Sequence, residues 1–171
     1  MKTPSDTKRY LSQLNPTFFT DRDLGKQFPS LLRENGLRVE SYFDHYRSDV
    51  IPDPVWIEYA ASSGLVALSR DNRIRSDSVA IRAVMENRGR LFIVRGTLSA
   101  TERAAMFLEA LGAVVRILER QEPHPFIANV KRESLSGGRV HCTAKVMLSY
   151  EAWRGKGMAG FEDERDPSPL A

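Results

Sequence analysis

The sequence has 171 residues, a length that predicts one domain with a substantial core. Its hydrophobic content of 42% and charged content of 27% are ordinary for a globular protein, and no apolar stretch approaches the ~20 residues of a membrane span. The N-terminus lacks the apolar core of a secretory signal, and the lone Cys142 excludes an internal disulfide and a cysteine-rich zinc site. We therefore expect a cytoplasmic protein without a membrane partner.

The first half of the chain alternates strand and helix patterns. Asp53-Pro54 is a strong helix start, with an N-cap acid and a proline at the first helical position. The predicted elements are, in order, a lead-in (1–16), a strand (17–20), a helix (24–35), a strand (38–43), a polar turn (44–52), a helix from 53 to near 64, and a strand (65–69).

The second half continues this alternation and then loses it. Its predicted elements are a helix with an irregular start (72–87), a strand (91–94), a helix capped by Ser99 or Thr101 that continues toward 118, a proline-broken loop (121–125), a strand (126–130), a turn (134–138) and an antiparallel hairpin strand (140–148). From Trp153 onward the pattern dissolves into glycine, proline and charged residues. We predict a domain over 17–150 and a flexible tail over 151–171.

Repeated strand–helix alternation predicts parallel strands joined by right-handed crossovers. The expected fold class is α/β: a three-layer α/β/α arrangement with a mostly parallel central sheet and a C-terminal antiparallel hairpin. In such a sheet the carboxyl ends of the parallel strands lie at one edge, which is where sites form.

Several acids are predicted to meet at that edge. Asp21 and Asp23 follow the first strand in FFTDRDLG, Asp71 follows the third in LVALSRDNRI, and Asp53 opens the helix between them. Crowded carboxylates are unfavourable unless a cation neutralises them, and oxygen ligands without His or Cys favour Mg²⁺ or Mn²⁺. Each acid also has a structural interpretation, because Asp53 and Asp71 can cap helices or turns and Asp21 and Asp23 can be loop acids.

The net charge is +3, and arginines concentrate around and after Asp71. Arginine matches the geometry of phosphate oxygens, so the excess favours a phosphate-rich partner. A solvated helix face with ion pairs is the alternative interpretation. The candidates for contact with a nucleic acid backbone are Arg22, Arg70, Arg73 and Arg75.

These motifs resemble the PIN-like domains, in particular the Vap-type toxin ribonucleases of type II toxin–antitoxin systems. FFTDRDLG resembles their acid after the first strand, DPVWIEYA their D-x-x-W/I-x-x-x-A helix, and LVALSRDNRI their acid after the third strand; PHPFIANV resembles a later strand. The motifs are short and moderately specific, but their order and spacing match over roughly residues 17 to 132.

The resemblance implies a metal-dependent endoribonuclease, with Mg²⁺ or Mn²⁺ as cofactor, RNA as substrate and a cognate antitoxin that blocks the site. Carried over by position, Asp21, Asp53 and Asp71 are the catalytic and metal-binding acids, and Asp23 is an added metal-ligand candidate. The family commonly has a fourth acid shortly after the third. Here Asn72 and Arg73 follow Asp71, so whether Asn72 or Asp77 completes the site stays open, as does the oligomeric state, including a homodimer.

Two other functions compete with this hypothesis. A non-catalytic PIN-like module that binds RNA or protein is compatible with the altered fourth position. A phosphatase of the haloacid dehalogenase type is suggested by the DxD pair, with Asp21 as nucleophile and Asp23 as acid/base. That class needs a placed lysine and a later acidic pair, and only isolated acids follow Leu91 before the tail.

Overall fold

A six-stranded sheet forms the centre of the protein, in a computed structural model that describes residues 9, 11, 13–47 and 50–163, with side chains through 157. Its strands are β1 (Thr17–Thr20), β2 (Arg38–Ser41), β3 (Val66–Ser69), β4 (Arg90–Val94), β5 (Phe126–Ser134) and β6 (Val140–Ser149). The described helices are α1 (Gln27–Glu34), α2 (Tyr42–His45), α3 (Asp53–Ser62), α4 (Ser78–Glu86), α5 (Ala100–Glu109), α6 (Leu111–Gln121) and α7 (Tyr150–Asp163), with 3₁₀ turns at Arg22–Leu24 and Asn72–Ser76.

The strand order is β2-β1-β3-β4-β5-β6, and only the last pair is antiparallel. The inner strands are buried on both faces, which is why TFFT and VALS read as continuous apolar runs rather than alternating ones. The α/β prediction with a C-terminal antiparallel hairpin is confirmed. None of the described helices has both the length and the apolar character to cross a membrane.

Two helical layers bury the two faces of the sheet. On one face, α1, α5 and α6 cover Phe18, whose ring meets Phe107 edge to face at 5.5 Å. On the other, α3 and α4 cover Phe19, which stacks on Trp56 at 5.9 Å. Each such aromatic burial stabilises the fold by about 1.5–3 kcal/mol, so both layers are firmly attached to the sheet.

Strand direction creates a crevice between β1 and β3. The chain leaves β1 through α1 toward β2 on one side and leaves β3 through α4 toward β4 on the other. The two strands are neighbours, with Thr20 opposite Leu68, and the Asp21 amide donates to the Leu68 carbonyl at 2.9 Å. This is the switch point where ligands bind in open α/β sheets.

The predicted strand over 38–43 is too long, because β2 ends at Ser41. Ser41 and Asp44 form a capping box: the Ser41 hydroxyl accepts from the Phe43 amide at 3.3 Å, and the Asp44 carboxylate accepts from the Ser41 amide at 2.8 Å. The following helical turn buries the Tyr42 ring, whose hydroxyl accepts from the Ile51 amide at 2.8 Å.

Two predicted helices are also divided. The helix expected over 24–35 is a 3₁₀ turn followed by α1, because Asp21 caps the turn and Gly25 reverses the chain at φ 71°. The helix expected to reach 118 is two helices that meet at Ala110. Ser99, not Thr101, is its cap, with Glu102 completing the box.

The segment that follows β6 begins with a helix. Within the described residues the chain is helical over Tyr150–Asp163, and the Tyr150 ring stacks on His124 at 6.0 Å. Residues 164–171 and most of the lead-in lie outside the described residues. The division into a lead-in (1–16), a domain (17–150) and a tail (151–171) therefore stays a prediction.

Candidate active site

Asp21 lies at the carboxyl end of β1 with only 4% of its surface exposed. Its Oδ2 accepts a hydrogen bond from the Ser69 hydroxyl at 2.9 Å, and its Oδ1 accepts from the Arg22 amide. The side chain is therefore fixed at the crevice between β1 and β3.

Ser69 connects two of the predicted acids. Its hydroxyl donates to Asp21 and accepts from the Asp71 amide at 3.0 Å, so one buried side chain sets the positions of both strand ends. Because Ser69 is fully buried, replacing it would leave unsatisfied polar groups.

The electrostatic environment of Asp21 is unfavourable for its charge. Burial, with smaller contributions from the charges of Asp23 and Asp53, raises the pKa of Asp21 to about 7, against the lowering effect of the Ser69 hydrogen bond. The two neighbouring acids thus act on Asp21 electrostatically, as expected for carboxylates gathered at one edge.

Asp53 is held from its own helix. It is the first helical residue of α3 rather than its N-cap, a position that Pro52 occupies. The Asp53 Oδ1 accepts from the Trp56 indole at 2.9 Å. The N-cap interpretation of Asp53 is therefore wrong, and the indole of the buried Trp56 holds this carboxylate, whose charge acts on Asp21.

Asp71 is paired with Arg73. Its Oδ1 accepts from the Arg73 amide and Nε, both at 2.9 Å, and its Oδ2 accepts from Nη2 at 2.7 Å. These contacts, chiefly the side-chain hydrogen bond, lower the pKa of Asp71. The hydrogen bonds to Asp71, with smaller contributions from the charges of Asp71, Asp23 and Asp53, raise the pKa of Arg73, so its guanidinium partly neutralises the acidic edge.

The carboxylates do not form a closed metal cage. Among the described residues, no three Asp, Glu, His or Cys side chains are close enough to hold an ion. The donor set still fits a hard divalent cation, because it offers carboxylate oxygens alone and because Asp21 is buried beside like charges and forms no ion pair with the described residues. To bind the ion, both carboxylate oxygens of Asp71 would have to give up their hydrogen bonds from Arg73.

The remaining acid candidates have other positions. Asp23 is exposed, with Arg22 at 4.0 Å. Asp77 caps α4 by accepting from the Val79 and Ala80 amides, at 2.9 and 3.2 Å. Asn72 is exposed at the start of a 3₁₀ turn, so whether Asn72 or Asp77 completes the site stays open.

The four predicted RNA-contacting arginines have different surroundings. Arg22 lies beside Asp23, and Arg73 is engaged by Asp71. Arg70 lies toward α5, since its charge, after burial, helps to lower the pKa of Arg103. Arg75 points to the opposite face, where it lines a groove next to α4.

Two supporting residues were missed as site residues. Ser69 holds two acids together, and Trp56 orients the third. Their spacing carries a usable signal: Ser69 is two residues before Asp71, and Trp56 is one helical turn after Asp53. The pairing of Asp71 with Arg73 could also be suspected from its two-residue spacing in a capped turn.

Replacing Arg73 by Gln should strengthen metal binding. The change removes the cation that competes for Asp71, but the pair is exposed on the arginine side, where 86% of its side chain is accessible. An exposed ion pair contributes little free energy, so Mn²⁺ affinity should rise by a factor of only about 1.4 to 5, measured by isothermal titration calorimetry. Arg82→Gln, which makes the same charge change on α4, is the control. Unchanged or weaker Mn²⁺ binding by Arg73→Gln would contradict the competition.

The mostly parallel sheet and the carboxylates at its switch point place this protein among α/β proteins with an acidic site. Sequence similarity identifies its family within that class. The family described as PIN like domain matches residues 16–96. The chain is 35% identical over 117 residues, 66% of its length, to the "Putative ribonuclease VapC45" of Mycobacterium tuberculosis (strain ATCC 25618 / H37Rv), of which it covers 83%. The chain belongs to the PIN-like domain family. No solved structure gives a significant match.

Proposed function

We propose that this protein is a cytoplasmic, metal-dependent endoribonuclease of toxin type, which hydrolyses RNA phosphodiester bonds and is inhibited by a cognate antitoxin. The observation that carries the proposal is the buried Asp21, fixed at the switch point with Asp23 and Asp53 acting on its charge. Its similarity to a protein named as a ribonuclease supports the choice of reaction. The antitoxin rests on the resemblance of the motifs alone.

The proposed site divides the work among a few side chains. Asp21, Asp53 and Asp71, with Asp23 beside them, would hold Mg²⁺ or Mn²⁺, which activates water and neutralises charge on the phosphate. Ser69 keeps Asp21 and Asp71 in place, and Trp56 does the same for Asp53. Arg22, Arg70 and Arg75, together with Arg73 once it leaves Asp71, are the proposed contacts to backbone phosphates.

The decisive assay is cleavage of single-stranded RNA by the full chain with Mg²⁺, Mn²⁺ or EDTA, with the products mapped to single nucleotides. We expect internal cleavage that needs the metal. A phosphomonoester substrate is assayed in parallel, and its hydrolysis through a trapped aspartyl-phosphate on Asp21 would indicate the phosphatase instead. The 4% exposure of Asp21 argues against attack by this carboxylate on a substrate.

One observation favours a second candidate, a non-catalytic module that binds RNA or protein. The Arg73 guanidinium already donates hydrogen bonds to both carboxylate oxygens of Asp71. If the wild type binds RNA without cleaving it, and if Arg73→Gln restores neither metal binding nor cleavage, this candidate replaces the nuclease.

A further inference from the structure

A groove of about 1070 Å³ lies on the face of the sheet that α4 covers. Its lining includes Asn72, the residue directly after Asp71, together with residues of α4, the end of β6 and the start of α7. One lining residue is therefore the chain neighbour of a proposed metal ligand, which brings the groove close to the acidic edge.

The rim of this groove is cationic. Four of its lining residues are Arg75, Arg82, Arg154 and Lys156, and none of the described residues that line it is acidic. The Arg75 Nε is buried and has no hydrogen-bond partner among the described residues. Arg154 and Lys156 are exposed on α7, and Arg82 has Glu86 at 3.6 Å on its own helix. The groove thus offers several donors to an anionic ligand.

The floor of the groove is apolar and partly aromatic. Ile81 of α4 and Leu148 of β6 lie beneath it, and Trp153 of α7 forms one wall. The Trp153 ring is half-buried against the core layer of α3 and α4 and lies 6.0 Å from the Tyr150 ring. Its position is therefore fixed by packing, while part of it stays accessible.

We infer that this groove binds the single-stranded stretch of RNA that flanks the cleaved bond, with phosphates on its cationic rim and bases on its apolar floor. The inference rests on the proposed function. Base stacking on an aromatic ring beside a cationic track is how proteins hold single strands with little sequence preference. α7 then becomes part of the nuclease, although it lies outside residues 16–96 that match the family.

The alternative occupant is an acidic protein segment, which a cationic rim would also attract. A single strand of RNA fits this lining better, because its phosphates match the cationic side chains and its bases can stack on Trp153, whereas an acidic side chain supplies only the charge. The apolar floor also favours unpaired bases over a duplex, whose bases are stacked inside the helix.

The test measures binding of a short fluorescein-labelled single-stranded RNA by anisotropy in EDTA, where no cleavage occurs. Removing two phosphate contacts with the double variant Arg154→Ala, Lys156→Ala should weaken binding roughly 25-fold at about 0.1 M salt and make the log–log salt slope shallower by about 1.4, since each contact contributes about −0.7 for single strands. The control is Arg116→Ala, Arg120→Ala on α6, which removes the same charge from exposed positions outside the groove.

Tryptophan fluorescence supplies an independent readout. The chain has two tryptophans, and Trp56 is fully buried, so quenching by stacked bases should come from Trp153. RNA should quench the wild type and leave Trp153→Phe almost unquenched, with binding retained but weaker. Equal quenching of both proteins would overturn the stacking contact.

The outcomes separate this inference from the proposed function. Unchanged RNA binding by the α7 double variant, or an equal loss in the α6 control, overturns the groove even if metal-dependent cleavage is intact. RNA binding that depends on Arg154 and Lys156 without any cleavage by the wild type supports the groove and refutes the nuclease. Binding of an acidic peptide to a groove that does not bind RNA would identify a protein-docking site and overturn the inference.

Discussion

Asp21→Asn should abolish metal-dependent RNA cleavage while leaving the protein folded. Asn keeps the shape of the side chain but removes the charge that a divalent cation needs at the centre of the edge. A bound metal supplies several kcal/mol of transition-state stabilisation, and each 1.4 kcal/mol is tenfold, so we expect a loss of about 10³-fold or more in the cleavage rate. The measurement is single-turnover cleavage of a labelled RNA at saturating Mg²⁺.

Two further variants make this result specific. Asp71→Asn should cause a comparable loss, because it removes a second proposed ligand across the Ser69 bridge. Glu58→Gln, an exposed acid on α3, should leave the rate unchanged. Cleavage that stays metal-dependent in both Asp21→Asn and Asp71→Asn would refute the assignment of the site, even if the protein is a nuclease.

The second large effect concerns stability as a function of pH without metal. The folded-state pKa of Asp21 is raised from 3.8 to about 7, so the protonated form suits the folded protein. The stability that the protonated Asp21 carboxyl contributes is fully present below about pH 4 and is lost as the pH rises through about 7. A shift of about three units corresponds to about 4 kcal/mol, at 1.36 kcal/mol per unit.

The measurement is the free energy of urea unfolding in EDTA from about pH 4 to about pH 8, for the wild type and Asp21→Asn. The variant should be more stable than the wild type by up to about 4 kcal/mol near pH 8, and this difference should shrink toward zero near pH 4. Glu58→Gln serves as the control for other titrating groups. A difference that does not change with pH would show that burial does not penalise the Asp21 charge.

Adding Mg²⁺ near pH 8 connects the two predictions. A ligand that binds only the folded state stabilises it by about 2.7 kcal/mol at a hundred times its dissociation constant. The wild type should gain this stability and Asp21→Asn should not, because only the wild type presents the buried charge to the ion. Equal stabilisation of both proteins would place the metal elsewhere.

Much of the site was predictable because it follows from strand ends. The buried runs before Asp21 and Asp71 identify two parallel strands, and parallel strands bring their carboxyl ends to one edge. Where prediction failed, local polar contacts decided the backbone: the capping box of Ser41 and Asp44 ends β2 early, and the Asp21 cap with Gly25 replaces the first turn of a helix.

The sequence by itself determined the α/β class and the adjacency of Asp21 and Asp71, since hydrophobic periodicity and crossover handedness depend on local pattern alone. Only the tertiary structure decided that Ser69 bridges these two acids and that Arg73 donates hydrogen bonds to the Asp71 carboxylate. It also decided that α7 and α4 together line a cationic groove. Those features depend on which side chains from distant segments of the chain lie within a few ångströms of one another. That proximity is fixed by the packing of whole helical layers on the sheet, and no short stretch of sequence encodes it.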